Sequence, residues 1–338
     1  MRWSIPIPCR TMIDTIAIHR GLMLLCAVIT FGGCAAQYDG PESVEYDPVG
    51  DRYFVSNTQS ELILIQDQDG EVSTFTNTWN APYGMEILDG VLFVCSQSDV
   101  IGFYLDGSSS SFPYSFGATF LNGITTDGEF LYVTDFAQRR IFKVDPWSLA
   151  SSVLVDDVGG TPNGIVWDPV GERLIVVYWQ SNSPIRSFDR NSGAMTTLLS
   201  STDLTNLDGI TIDCDGNFLV SSWSPDHITS FEPTFTQPGV NLGITGLNNP
   251  ADIDFDTVNN RVCVPNSGSN TVTIEDVDCS NAIQERDTYT ALVMPNPTNG
   301  LVRFEPSLKR AEPFMVLDVG FPCFRSNHNW RFQRAVHG

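Results

Sequence analysis

The feature that most constrains this chain is an internal repeat. A short start, in which a polar residue precedes Gly-Ile or a close variant of it, returns six times. The copies are Gly40-Pro41-Glu42-Ser43-Val44, Ala81-Pro82-Tyr83-Gly84-Met85, Phe120-Leu121-Asn122-Gly123-Ile124, Thr161-Pro162-Asn163-Gly164-Ile165, Asn206-Leu207-Asp208-Gly209-Ile210 and Asn249-Pro250-Ala251-Asp252-Ile253. Measured at the third residue of each, successive copies lie 41, 39, 41, 45 and 43 residues apart. A copy of roughly 40 residues is the size of a four-stranded propeller blade, and a blade cannot bury both faces alone. Six copies over residues 38–283 therefore predict an all-β chain closed into a six-bladed β-propeller.

The interior of each copy agrees. After the start comes a turn such as Asp47-Pro48-Val49-Gly50, Asp127-Gly128 or Asp168-Pro169-Val170-Gly171. A strand-forming run follows: Arg52-Tyr53-Phe54-Val55-Ser56, Phe130-Leu131-Tyr132-Val133-Thr134 or Arg173-Leu174-Ile175-Val176-Val177. A third strand comes next, as at Ile141-Phe142-Lys143-Val144 and Ile185-Arg186-Ser187-Phe188. Aspartate and glycine mark the turns because they tolerate positive φ, and the β-branched and aromatic runs suit strands buried between blades.

In a propeller the first strand of each blade lines the central channel, and its first residues sit at one mouth. The slot before each Gly-Ile reads Glu42, Tyr83, Asn122, Asn163, Asp208 and Ala251 around the ring. Two carboxylates and two carboxamides in one register suit a hard cation, Ca²⁺ first, with Mg²⁺, Mn²⁺ or Zn²⁺ as alternatives. The competing explanation is that Asn-Gly and Asp-Gly are common turn dipeptides, placed there for backbone reasons alone.

The repeat and its slot residues resemble the senescence-marker-protein/gluconolactonase/luciferin-regenerating-enzyme family, and more broadly NHL-like propellers. The resemblance spans residues 38–283. It implies metal ligands at Glu42, Asn163 and Asp208, with Asn122 binding substrate. It also implies metal-assisted lactone or ester hydrolysis with Asp208 as base or water-orienting group, the cation polarising the carbonyl. Two departures stand out. Gly117-Ala118-Thr119-Phe120 carries no arginine for a sugar lactone, and Arg139 and Arg140 fall in a later turn. His227 is the one histidine of the repeat region and is expected in a surface loop, so a histidine dyad is excluded. Trp179 and Trp223 either wall the pocket or pack between blades.

Charge narrows the partners. Net charge is −22, and residues 42–285 hold 34 acidic and 8 basic residues. Such a body repels phosphate backbones, which argues against nucleic acid. A small-molecule substrate, or a surface glycan or protein, is the expected partner. Two functions compete: a divalent-metal hydrolase, and a non-catalytic binding propeller. The channel mouth separates them, because a scaffold does not need an oxygen-rich mouth.

Residues 1–36 are expected to be a signal peptide. Arg20 precedes the apolar run Gly21–Phe31, too short to span a bilayer, and small residues follow. Cleavage after Ala36 competes with lipidation of Cys34. Residues 37–284 make the propeller and 285–338 a partial C-terminal segment. There Val293-Met294-Pro295-Asn296-Pro297-Thr298-Asn299-Gly300 and the strand-like Leu301–Phe304 resemble the start of a type IX secretion sorting domain, with Met315–Gly320 like a later strand. That resemblance implies export machinery as a partner and a cell-surface, secreted or periplasmic location. Cysteines in the body show no metal-binding spacing, and Cys263 and Cys279 are the expected pair if oxidised.

Overall fold

The computed structural model describes residues 37–107, 112–148, 150–279, 323–326 and 329–332. The leader and the sorting-type motifs lie outside these. Residues up to Ala282 form one unit, and within it the described residues contain strands and turns and no helix. Residues 283–338 form a second unit, in which Cys323–Ser326 and Asn329–Phe332 pair as an antiparallel hairpin.

The first unit is a six-bladed β-propeller, as the repeat predicts. Each blade is an antiparallel meander taken in chain order from the inside out. The inner strands are Pro41–Asp47, Pro82–Leu88, Leu121–Thr126, Pro162–Asp168, Thr205–Ile212 and Asp254–Asp256. Blades 1 to 5 have four strands, and blade 6 has three among the described residues.

Second strands are buried on both sides, which explains their near-continuous apolar runs. In blade 2, Val91–Ser96 is buried at every position. Its residues alternate between two neighbours because strand side chains have period two. Val91, Phe93 and Cys95 pack with Leu121, Leu131 and Val133 of blade 3, while Leu92 and Val94 pack with Phe54 and Ile63 of blade 1. Six such clusters fill the six junctions.

The inner strands meet more closely than side chains allow. A β-carbon on Gly123 would lie 2.5 Å from the Asn163 carbonyl oxygen, and one on Gly164 would lie 2.5 Å from that of Asp208. Neither glycine has positive φ. Glycine is needed here for the approach of the next blade's backbone, not for a turn, so the turn-dipeptide explanation fails at these positions. Hydroxyls reinforce the contact. Thr134 accepts from Gly123 N at 2.9 Å and donates to Asn163 O at 2.7 Å, and Ser221 does the same between Gly209 N and Ala251 O, at 2.8 and 2.7 Å.

A second tier of contacts lies three residues further along the inner strands. Glu45 accepts from Ile87 N at 2.8 Å, Thr125 from Trp167 N at 3.1 Å, and Asp254 from Tyr46 N at 2.8 Å. Each is a side chain of one blade held by the backbone of the next.

The ring closes between blades 1 and 6, whose residues are more than 200 apart in sequence. Ser43 and Asp252 form a parallel bridge, Asp252 N donates to Glu42 O at 2.8 Å, and Ser43 Oγ donates to Asp252 Oδ2 at 3.0 Å. At this junction serine and aspartate stand where other blades carry glycine.

One expectation is corrected. Cys279 is bonded to Cys214, with Cα atoms 5.9 Å apart, and not to Cys263. Cys263 points into the core between blades 6 and 1, beside Val44 and Tyr53, and is a free buried thiol. Cys214 follows Asp213 in the turn that leaves the inner strand of blade 5, so the bond ties the chain after blade 6 to blade 5.

Two stability measurements follow. Gly164→Ala should lower the urea-unfolding free energy by about 1–3 kcal/mol, because the neighbouring backbone must move. Cys214→Ser should cost about 2–4 kcal/mol under oxidising conditions and nothing beyond the wild-type loss under reductant.

Candidate functional site

In blades 1 to 5 the slot residue sits at an irregularity in the ladder. The register shifts fall between Pro41 and Ser43, Pro82 and Met85, opposite Leu121–Ile124, between Pro162 and Ile165, and between Leu207 and Ile210. Bulges leave a residue out of the pairing and re-aim its side chain. Because the inner strands share one direction, all these positions lie at one mouth of the channel.

Three of the expected residues converge there. Asp208 of blade 5 lies close enough to feel both Glu42 of blade 1 and Asn163 of blade 4. Asn163 is 2% exposed and Asp208 1% exposed, while Glu42 is partly exposed. Asn163 Nδ2 makes a long bond to Leu207 O at 3.4 Å. Asn163 Oδ1 and Asp208 Oδ1 are buried without a hydrogen-bond partner, as is Trp223 Nε1. A buried polar atom left unpaired costs on the order of 1–3 kcal/mol, so three together mark an unmet interaction.

The remaining slots contribute differently. Asn122 is buried in the same register, and among the described residues no bond joins it to the other three. Tyr83 packs edge-on against Phe120 at 4.8 Å, and burial with the charge of Glu42 pushes its hydroxyl pKa up. Ala251 is fully buried and apolar. Its neighbour Asp252 supplies a carboxylate instead, one that slot-by-slot reading passes over. Its signal was the Asp in place of glycine in the sixth copy.

The electrostatics are those of a crowded acidic channel. Burial pushes Glu42 up to about 7. Burial, and then the charges of Glu42 and Asp254, push Asp252 up to about 8, against the Ser43 hydrogen bond. Burial first, then Glu42 and Asp252, hold Asp208 well above the carboxylate range, partly offset by the adjacent Trp223 indole and Asn163 amide. Deeper in the channel, burial and Asp254 raise both Glu45 and Glu86. These deeper carboxylates are engaged by the next blade's backbone, so they serve the ring.

The donor set fits a hard divalent cation: two carboxylates and an amide oxygen, two of them with unpartnered atoms. Among the described residues no three His, Cys, Asp or Glu side chains form a metal-holding group. An ion at the mouth would thus rely on Asn163 and on water beside Glu42 and Asp208. Arg139 and Arg140 do not serve the mouth; they pair with Asp157 at 2.9 Å and Asp156 at 2.7 Å. His227 lies in strand Asp226–Phe231 opposite Ser222, not in a loop. Trp179 and Trp223 pack on one another at 4.7 Å between blades 4 and 5. Two surface clefts of about 380 Å³, one beside Phe130 and Trp147 and one beside Tyr53 and Arg261, include none of the mouth residues.

The raised carboxyls give a pH signature. A carboxyl with a raised folded pKa binds its proton more tightly in the folded state, so its contribution to stability is lost as pH rises from about 4 to the folded value. In chelator, Glu42→Gln should therefore gain thermal stability relative to wild type between pH 5 and pH 8. A difference that stays flat across that range would mean Glu42 is well solvated.

No family model matches the chain, and no curated protein matches it. Solved structures do share its fold. A candidate gluconolactonase superposes with a TM-score of 0.58 at 18% identity, covering 72% of this chain and 92% of that one. A catalytically inactive histidine-to-alanine virginiamycin B lyase from Staphylococcus aureus, with quinupristin, gives 0.55 at 16%, covering 70% and 80%. An auxiliary nutrient binding protein from Bacteroides thetaiotaomicron gives 0.59 at 12%, covering 71% and 70%. At these identities the likeness is one of fold alone, shared with a gluconolactonase-like structure, a lyase and a binding protein alike; the six blades are read from this chain's own strand order.

Proposed function

We propose that this is an exported propeller that holds a divalent cation, Ca²⁺ first, at the channel mouth and hydrolyses a lactone or ester there. One observation carries this proposal: Asn163 Oδ1 and Asp208 Oδ1 are buried, unpartnered and grouped with Glu42. Buried acceptors and carboxylates with no cationic side chain beside them are stable when a cation neutralises them. Glu42, Asn163 and Asp208 would hold the ion. When bound, it would supply Lewis-acid polarisation of the scissile carbonyl.

The chain's own residues then have separate roles. Asp208, beside the Trp223 indole and the Asn163 amide, orients a water, takes its proton as that water attacks the carbonyl carbon, and returns the proton to the alkoxide oxygen as the ester or lactone C–O bond breaks. Asn122, in the same register one blade before Asn163, positions the substrate. The narrow mouth, with Asn122, Asn163 and Asp208 all nearly buried, limits bulk water at the reacting atoms.

Hydrolysis is favoured over lyase chemistry on a specific ground. The inactive lyase neighbour lacks a histidine, whereas the one described histidine here, His227, sits in the third strand of blade 5, away from the inner strands. Export is supported by the Cys214–Cys279 disulfide, since such bonds persist in oxidising compartments.

The test uses chelator-treated full-length protein titrated with Ca²⁺. At 100 times its dissociation constant the ion should stabilise the fold by about 2.7 kcal/mol, and Asp208→Asn should abolish the gain. A lactone and ester panel should show turnover that needs the ion and falls about a hundredfold or more in Asp208→Asn. Cation binding without turnover would replace this proposal with a binding propeller for a glycan or protein; no cation binding would remove the site altogether.

A further inference from the structure

The mouth is framed by aromatic rings in two groups. Second strands run toward this face, as the pairings Pro162–Tyr178, Leu207–Ser222 and Leu121–Asp135 require. Trp179, Trp223 and Phe136, at or just beyond the ends of those strands, therefore lie at the mouth. Between blades 2 and 3, Tyr83, Phe120 and Phe136 form a chain of edge-on contacts at 4.8 and 5.4 Å. Between blades 4 and 5, Trp179 and Trp223 meet at 4.7 Å. All five rings are partly exposed. Tyr83 feels the charge of Glu42, and Trp223 lies against Asp208, so both groups border the acidic centre.

The same face has no cation to spare. The eight basic residues of the described propeller are engaged elsewhere. Six arginines pair with aspartates, Arg186 donates to Val158 O and stacks on Tyr178, and Lys143 sits over Phe130. An anionic ligand would find no basic side chain there and would lie among the carboxylates of Glu42, Asp208 and Asp252 that surround the ion. The unpartnered atoms beside the centre are two acceptors, which the ion takes in the proposal above, and one donor, Trp223 Nε1. A buried N–H with no acceptor selects a ligand oxygen, because leaving it unmet is costly.

Building on the hydrolase proposal, we infer that the mouth takes an uncharged lactone or ester with an aryl body and one principal acceptor, not a polyhydroxylated or anionic one. The aryl body lies against the rings, and Trp223 Nε1 donates to the ligand's carbonyl or ring oxygen. Aromatic packing of this kind favours flat apolar bodies, and a single donor gives little return to a ligand that must desolvate several hydroxyls. Trp223 is thereby a specificity residue as well as a neighbour of Asp208.

The experiment compares two lactams, which bind without being turned over. They are 3,4-dihydro-2-quinolinone, with an aryl body, and gluconolactam, with a polyhydroxylated one. Affinity is measured by calorimetry on the Ca²⁺-loaded full chain. The aryl lactam should bind at least about tenfold more tightly, and Trp223→Phe, which keeps an aromatic ring but removes the N–H, should weaken it about tenfold. Trp179→Leu should weaken it as well, with circular dichroism confirming that both variants fold. Equal or tighter binding of gluconolactam, or no binding of either, overturns the inference. Hydrolysis of the matching aryl lactone is measured separately. Aryl binding without hydrolysis leaves the ligand class standing and removes the hydrolase; gluconolactone hydrolysis without aryl binding does the reverse.

Discussion

Everything in this molecule depends on how closely neighbouring inner strands approach at the channel mouth. Six sheets packed face to face through apolar clusters would make a ring of some kind, but side-chain packing alone does not define its radius. The radius is defined where the backbone at Gly123 and Gly164 touches the carbonyls of the next blade, leaving no room for a β-carbon. Thr134 and Ser221 bridge those contacts, and Glu45, Thr125 and Asp254 repeat the linkage one tier deeper. Polar groups do this work because inner strands that splay apart cannot continue a backbone ladder, and their buried N–H groups need acceptors.

The same geometry makes the site. A bulge at each approach removes one residue from pairing, and that residue is Glu42, Asn122, Asn163 or Asp208 in four blades. The site is thus a by-product of closure that chemistry can occupy. Asn163 and Asp208 sit on the backbone segments that touch their neighbours. Placement within these contacts lets unpartnered acceptors persist, since a side chain on a free loop would turn toward water.

Closure by carboxylates has an electrostatic cost. Glu42, Asp208 and Asp252 at the mouth, and Glu45, Glu86 and Asp254 below, share a channel that no arginine or lysine among the described residues neutralises, and all are held above their usual range. Protons or a bound cation relieve that repulsion, and a protein exposed to varying pH would depend on which is present. At the junction of blades 1 and 6, Ser43 and Asp252 replace glycine and link to one another instead.

Blade number, strand order and the slot residues were legible in the sequence because each rests on local signals: a period near 40 residues, a side-chain period of two, and turn residues between runs. The meaning of the Asn-Gly pairs was not. As a dipeptide it suggests a turn, and only the neighbouring blade's carbonyl shows that glycine is there for clearance. Asp252 was missed because it occupies the glycine position of its copy, and its neighbours Ser43 and Glu42 lie more than 200 residues away. Cys279 pairs with Cys214, not with Cys263 of its own blade, since alternation along Arg261–Asn266 buries Cys263 toward Val44. The sequence by itself determined the six blades and the row of oxygen-bearing side chains, because both are periodic. Only the tertiary structure decided which of those side chains meet, which carboxylates hold the ring and which face the mouth, because closure joins residues that no sequence period relates.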